Sequence, residues 1–400
     1  MKAFARVFSF DLISKGVLGL ISIALIRLMT ASEYAKYTFS LAILAFVLQS
    51  ISGTFNRMYI LTPRRAVTSS GDAPTLLLLQ LFVLYALTLL ALPLSGRLGV
   101  LFFAVVALVS AACLYEFTRT NFQKALDFKS YSKMELQRAI LLSSLILLAV
   151  VVFGKDTSAI AIVCAHTTAY LLICWRATVG RLKAMSLPSR AALLKSLRSL
   201  LVGGHQWLFA YFLLSGIFSQ VDVFMLAALG DDVMVASYGS AFRYYGILAL
   251  ALSSAHALLL PMIQQTGTRE ELDELLLKHR RLLVGFSAAV FVVAWASGWF
   301  IPLIDAGKYP DAVPVLRILS VSIVISFAFS PHVNLILRCG QHRFLVLLMV
   351  CALFTALAGN YVLIPIHGAI GAALSTLASA ALVNVTIYLR SKVLLQHTYE

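Results

Sequence analysis

The stretch that decides the fold is residues 201–257, LVGGHQWLFAYFLLSGIFSQVDVFMLAALGDDVMVASYGSAFRYYGILALALSSAHA. It contains two long apolar runs joined by a short acidic turn, with Asp222 inside the first run and Arg243 inside the second. Burying either charge in a bilayer costs about 2.5–3.5 kcal/mol on insertion scales. Such charges persist where they pair, face water or hold a ligand, so this hairpin is the first candidate for a functional site.

Composition indicates a polytopic membrane protein. The 400 residues are 60% hydrophobic and 12% charged, whereas soluble domains are about 45–50% apolar and about 25% charged. The net charge is +15, but the charges lie between apolar runs, so we expect no nucleic-acid partner. The five cysteines fall in apolar runs without metal-ligand spacing, and we expect neither a metal nor a cofactor.

The apolar runs predict an all-α protein with about twelve transmembrane helices, because one span needs about 20 mostly apolar residues. The predicted spans are 9–29, 36–56, 74–94, 98–118, 134–153, 157–176, 203–227, 234–258, 282–304, 313–336, 344–364 and 368–389. Lys and Arg concentrate in alternate connecting segments. This alternation predicts that both termini are cytoplasmic.

An internal repeat divides the spans into two sets of six. Tyr238 follows Tyr37 by 201 residues, and similar residues recur at that offset for Phe10, Leu12, Ser14, Leu28 and Ala35. We predict two six-helix bundles, 1–176 and 203–400, joined by a cytoplasmic linker, 177–202, with an amphipathic segment. Both halves start in the cytoplasm, so the repeat is parallel, with a pseudo-two-fold axis along the membrane normal, an arrangement of transporters.

A second amphipathic segment is predicted at 265–281, before the ninth span. Thr268 and Glu271 form the pattern of a capping box at a helix start. We expect the leucines that follow to lie on the membrane surface. They are Leu272, Leu275, Leu276 and Leu277.

Four stretches carry a resemblance to a known family. They are 26–37 (IRLMTASEYAKY), 220–243 (QVDVFMLAALG and ASYGSAFR), 307–319 (GKYPDAVPVLRIL) and 360–373 (NYVLIPIHGAIGAA). In order and spacing they resemble the Wzx-type polysaccharide flippases of the multidrug/oligosaccharidyl-lipid/polysaccharide exporter superfamily, nearly end to end. The resemblance implies export of an isoprenoid-diphosphate-linked oligosaccharide across a bacterial inner membrane. A polysaccharide polymerase and glycosyltransferases are candidate partners.

Such a substrate needs cations for its diphosphate, and arginine suits phosphate because its fork donates paired hydrogen bonds. Lys15 lies near the cytoplasmic end of the first span and Arg57 at the same end of the second. We hypothesise that both bind the diphosphate on entry. Two other interpretations stay open: Lys15 snorkels to the interface, and Arg57 is a topology signal.

Asp222 and Arg243 lie on adjacent spans, in their outer halves, so an ion pair between them is feasible. In one interpretation the pair only fixes helix packing. In the other, Asp222 takes up H⁺ or Na⁺ while Arg243 binds substrate. Arg317 enters the tenth span and either extends the basic lining or anchors the helix at the interface.

We predict a transporter rather than an enzyme. The predicted outward loops are too short to form a domain for a polysaccharide polymerase or O-antigen ligase, and no nucleophile-elbow, zinc-protease or P-loop motif occurs. A drug/cation antiporter of the same superfamily is the nearest alternative, but we expect it to have more carboxylates than cations in its cleft. A structural or assembly role without transport stays open.

Overall fold

The computed structural model describes residues 2–61, 72–90, 92, 99–125, 127–178, 206–265 and 268–399. Helices account for nearly all of these residues, and no β-strand occurs in these ranges. The chain divides into two compact units, Met1–Gln220 and Val221–Glu400. The predicted linker 177–202 lies almost wholly outside the described residues, so the predicted domain ranges stay a prediction.

The first unit contains eight described α-helices. They are α1 Lys2–Leu28, α2 Ala31–Val47, α3 Gly53–Leu61, α4 Asp72–Leu90, α5 Val100–Lys124, α6 Phe128–Phe153, α7 Ala159–Thr178 and α8 Gln206–Phe218. A π-helical turn, Leu48–Ser52, joins α2 to α3. Next to that turn, α8 approaches closely, since a Cβ on Gly216 would lie 2.7 Å from Cβ of Ser50. Glycine therefore permits this helix crossing.

The second unit contains the remaining described helices. They are α9 Val221–Leu229, α10 Asp232–Gln265, α11 Arg269–Asp305, α12 Ala312–Arg338 and α13 His342–Tyr399. A straight 58-residue helix would be about 87 Å long, but α13 breaks at Gly368, where φ is 56°. Its two arms fold back on each other, because Ser375 Oγ donates to Ala356 O at 3.0 Å. Gly368 thus separates the eleventh predicted span from the twelfth.

Each of the twelve predicted spans overlaps one or more described helices, and the predicted all-α membrane fold is confirmed. By length and composition, seven described helices are able to cross a membrane, or eight if α8 and α9 form one span. This number of helices treats the two arms of α13 as one helix. The seventh span departs from the prediction, because it is interrupted at Ser219 and Gln220 instead of running continuously over 203–227.

The predicted repeat is visible in how the second helical segment of each half begins. Thr30 caps α2 by accepting from Glu33 N at 3.3 Å, and Asp231, 201 residues later, caps α10 by accepting from Met234 N at 2.8 Å. Each half therefore starts this helix with a polar side chain at the same repeat position, as helix starts require.

The leucines of 265–281 do not lie as predicted. The capping box forms, with Glu271 N donating to Thr268 Oγ1 at 3.3 Å. Leu272 and Leu275, however, are buried against other helices of the second unit, in a cluster with Leu259, Ile263 and Leu335, and Leu276 packs on that cluster. Of the four, Leu277 is half-exposed. The apolar face therefore packs on protein, and the segment continues into the span as a single helix, α11.

Candidate functional site

The strongest candidate site is built around Asp222, in the first turn of α9. The side chain is only 8% exposed. Tyr238 of α10 donates its hydroxyl to Oδ2 at 2.7 Å, Thr376 of α13 makes a short hydrogen bond to the same oxygen, and Asn360 Nδ2 donates to Oδ1 at 2.9 Å. Three helices therefore converge on one carboxylate, and the partners that it has among the described residues are all uncharged.

The hydrogen-bond geometry of this cluster is compatible with Asp222 either ionised or protonated. The Thr376 hydroxyl has one hydrogen, yet Oγ1 lies within hydrogen-bonding distance of both Asp222 Oδ2 and Ala372 O, the latter at 3.1 Å. If Asp222 is ionised, Thr376 donates to it. If Asp222 is protonated, it donates to Thr376, which then donates to Ala372 O. The same heavy-atom positions thus suit either state.

Asn360 adds an unused acceptor beside the carboxylate. Its Oδ1 is buried and makes no hydrogen bond in the part of the chain that the structure describes. A buried acceptor without a donor is costly. Carboxylate, amide and hydroxyl oxygens are the ligands that hard cations prefer. The Asp222 cluster therefore has the chemistry to bind a proton or a small cation such as Na⁺.

Arg243 is not a partner of Asp222 among the described residues. It lies in α10, five residues after Tyr238, and is partly buried. The feasible ion pair is therefore not formed in this structure. The predicted role of Arg243 in binding substrate stays a prediction.

The first unit has a related but different cluster at the repeat position of Tyr238. Tyr37 OH lies 3.4 Å from Nε2 of His166 in α7. At the repeat position of Asp222, the first unit has Ile21. The first unit therefore has the tyrosine and a polar partner for it on α7, but it has no carboxylate at the position that corresponds to Asp222.

Of the other predicted site residues, Lys15 and Arg57 belong to the first unit and Arg317 to the second. Lys15 is exposed on α1. The side chain of Arg57, on α3, lies outside the described residues. Arg317 is exposed near the start of α12, and its Nε donates to Ala294 O of α11 at 3.1 Å. That bond ties α12 to α11, and both interpretations of Arg317 stay predictions.

The sequence analysis missed a buried ionic network in the first unit. Arg138 pairs with Glu135 at 2.5 Å on α6, and Tyr115 OH donates to the other carboxylate oxygen at 2.8 Å. Arg119 lies 3.7 Å from that oxygen. A signal was present, since Glu116 with Arg119 and Glu135 with Arg138 are both pairs with three-residue spacing.

Comparisons with known proteins bear on the fold. No family model and no curated protein matches the chain. The lipid II flippase MurJ, in an inward closed conformation, superposes with a TM-score of 0.76 at 11% identity, over 97% of this chain and 87% of that one. An inward-facing multidrug resistance MATE family transporter of the MOP superfamily gives 0.70 at 16% identity, over 96% of each chain.

A third solved structure agrees. A mutant of the Vibrio cholerae MATE transporter VcmN gives a TM-score of 0.60 at 16% identity, covering 99% of this chain and 98% of that one. At such identities the likeness concerns the fold, and it extends over nearly the whole chain. The protein is thus a multi-pass membrane protein with the fold of the flippases and multidrug transporters of the multidrug/oligosaccharidyl-lipid/polysaccharide exporter superfamily, as its sequence predicts.

Proposed function

We propose that the protein is a flippase that moves an isoprenoid-diphosphate-linked oligosaccharide from the cytoplasmic to the periplasmic leaflet of a bacterial inner membrane, by alternating access coupled to counter-transport of H⁺ or Na⁺. The observation that carries the coupling is the buried Asp222 carboxylate, whose described partners are all uncharged. Uncharged donors stabilise an ionised carboxylate without neutralising it. A bound cation supplies the missing charge.

The proposed coupling between ion binding and conformation rests on which helices carry the hydrogen-bond donors to Asp222. The carboxylate belongs to α9, Tyr238 belongs to α10, and Asn360 and Thr376 belong to the two arms of α13. A cation held at Asp222 neutralises the buried charge and attracts the surrounding oxygens. Its release restores an uncompensated charge among these helices and favours a different packing of them. Ion occupancy therefore biases the conformation of the second unit.

The substrate is inferred from charge. The chain has 32 Lys and Arg against 17 Asp and Glu, and its lone intramembrane arginine in the deciding hairpin, Arg243, is suited to a diphosphate. Export of an anionic headgroup toward the positive side of the membrane is favourable by about 2.3 kcal/mol per charge at 100 mV. Counter-transport of a cation adds to that driving force. The fold of a lipid II flippase supports this substrate class.

A multidrug or cation antiporter is the second candidate. It is favoured by the multidrug transporters of the same fold, which match nearly the full length of both chains. The Asp222 cluster serves either function, because both couple transport to an ion. The nature of the substrate separates them.

The deciding experiment measures headgroup accessibility in proteoliposomes. A fluorescent isoprenoid-diphosphate oligosaccharide is incorporated symmetrically, and an impermeant quencher is added outside. We expect the accessible fraction to rise from about half to nearly all, and Arg243→Ala to lose this rise. Arg281→Ala, at an exposed arginine on α11, is the matched control and should behave as the wild type.

Two results contradict the proposal. Accessibility that stays at the level of empty liposomes, under imposed proton and sodium gradients and with several glycans, excludes flipping of this substrate class. Gradient-driven transport of an organic cation by the same vesicles, together with that result, establishes the antiporter instead.

A further inference from the structure

A cavity of about 380 Å³ lies within the second unit, away from the Asp222 cluster. Its walls come from the first part of α11 and the last part of α13, and its floor is the region of α12 around Pro331. The residues that the argument uses are Arg269, Arg280, Pro331, His332, Tyr388 and Lys392. No function proposed above involves this cavity.

The cavity is strongly cationic. Arg269, Arg280 and Lys392 contribute three permanent positive charges, and no Asp or Glu is found among its described lining residues. The exposed acid Glu274 on the same helix pairs with Lys278 at 2.7 Å instead. Three cations around a concave surface without an acid repel one another, so an anionic ligand would stabilise the arrangement.

Of the two histidines that line the cavity, His279 hydrogen-bonds to a backbone carbonyl that Pro331 leaves without its helical donor. Pro331 has no N–H, so the carbonyl of Phe327, four residues earlier in α12, lacks its helical donor. His279 Nε2 lies 3.0 Å from that carbonyl oxygen. We therefore assign His279 as the donor that satisfies Phe327 O, with its Nε2 protonated.

The other histidine is held by Ser391. His332 Nδ1 lies 2.8 Å from Ser391 Oγ, and Ser391 donates its single hydrogen to Tyr388 O at 2.8 Å. Ser391 Oγ must therefore accept from His332 Nδ1–H. In the neutral ring the second nitrogen, Nε2, is an acceptor, so His332 donates to an anion only when the ring is protonated. The three permanent cations, and not this histidine, therefore give the cavity its charge.

Exposed apolar side chains lie on the same helix segments but do not line the cavity. Leu282 of α11 is 65% exposed, and Leu389 and Val393 of α13 are 59% and 43% exposed. In a membrane helix such side chains contact acyl chains, so lipid surrounds the segments that form the cavity.

We propose that this cavity binds the phosphate of an anionic phospholipid headgroup. The volume lies at the lower end of ligand sites, about 300–1,000 Å³, which suits a phosphoglycerol group. The distribution of Lys and Arg predicts that these helix ends lie at the cytoplasmic surface, where anionic lipids and basic pockets between helices meet.

The test is lipid binding to the purified full-length protein, measured by native mass spectrometry with dioleoyl phosphatidylglycerol and with dioleoyl phosphatidylcholine. We expect preferential binding of phosphatidylglycerol. Each removed charge should weaken binding about five-fold, so Arg280→Gln with Lys392→Gln should weaken it about 25-fold. Arg281→Gln removes a neighbouring exposed charge that does not line the cavity, and it should bind as the wild type.

Three outcomes overturn the proposal. Equal binding of the two lipids shows that the cavity does not select an anion. Equal weakening by Arg281→Gln shows a general surface-charge effect instead of a site. Displacement of phosphatidylglycerol by an equal concentration of inorganic pyrophosphate shows that the ligand is a soluble anion.

Discussion

Glu135 in the first unit and Asp222 in the second are both buried carboxylates, but their surroundings balance the charge in opposite ways. Glu135 is 5% exposed and lies between the guanidinium groups of Arg138 and Arg119, with the Tyr115 hydroxyl as an additional donor. Asp222 is 8% exposed and accepts from a tyrosine, a threonine and an asparagine. Arg119 also lies 3.6 Å from Glu116, so two acids and two arginines balance in the first unit, whereas an ionised Asp222 has no described counter-charge.

In our proposal this difference separates a structural carboxylate, Glu135, from a functional one, Asp222. A carboxylate paired with arginine has no reason to exchange its partner, because losing it leaves an uncompensated buried charge that costs several kcal/mol. A carboxylate held by neutral donors has its hydrogen bonds but not its counter-charge. In our proposal a mobile cation provides that charge, so we expect the second unit, and not the first, to respond to ions.

The largest loss in the free energy of unfolding is expected from removing the charge of Glu135, which pairs with Arg138 and Arg119. Glu135→Gln leaves Arg138 without its carboxylate in a buried site, which should lower the free energy of unfolding by about 3–5 kcal/mol. The measurement is unfolding of the purified protein in detergent micelles. Glu274→Gln is the matched control, because it removes an exposed carboxylate–lysine pair and should not change stability measurably. Equal stability of Glu135→Gln and wild type would show that the network is not charge-balanced as described.

A double substitution sharpens the same point. Arg138→Met alone leaves Glu135 with only the more distant Arg119, and adding Glu135→Gln removes both members of the close pair. The loss in unfolding free energy for the double variant should be smaller than the sum of the two single losses by about 0.5–3 kcal/mol. Strict additivity in a double-mutant cycle would mean that the two side chains do not interact.

A smaller effect is expected at the two tyrosines of the repeat. Tyr238→Phe removes a hydrogen bond of 2.7 Å to a carboxylate, which contributes about 1.5–3 kcal/mol. Tyr37→Phe removes a longer contact, of 3.4 Å, to His166, which involves no carboxylate, and should cost no more than about 0.5–1.5 kcal/mol. Unfolding free energies that are equal for the two variants would contradict the claim that Asp222 is charged.

Local patterns in the sequence predicted much of the structure. The spans follow from apolar length, and the start of α11 follows from Thr268 and Glu271, because capping acts over three residues. Asp222 was identified because one carboxylate in an apolar run is costly wherever the run packs.

The partners of Asp222 were not predictable in this way. Asn360 and Thr376 are 138 and 154 residues from it in sequence, and apolar spans do not specify which faces meet. Arg243 was the expected partner because it lies on the adjacent span, but adjacency in sequence does not fix the register of two helices. The break at Ser219 and Gln220 contains neither glycine nor proline itself, and Gly216, one turn earlier, lies inside α8 without interrupting it.

The leucines after Thr268 show a different limit of pattern reasoning. An apolar helix face suits a membrane surface and a neighbouring helix equally well. Here Leu259, Ile263 and Leu335 supply the apolar neighbours, and they come from helices that the local pattern does not include.

The most direct test of the central claim is ion binding by wild type and Asp222→Asn. Proton uptake after a pH jump and binding of radioactive sodium are measured on the purified protein in detergent, with Glu274→Gln as the control. We predict that the wild type and the control bind one proton or one sodium ion that Asp222→Asn does not bind. Equal binding of both ions by wild type and Asp222→Asn would contradict the assignment of Asp222 as the ion-coupling carboxylate.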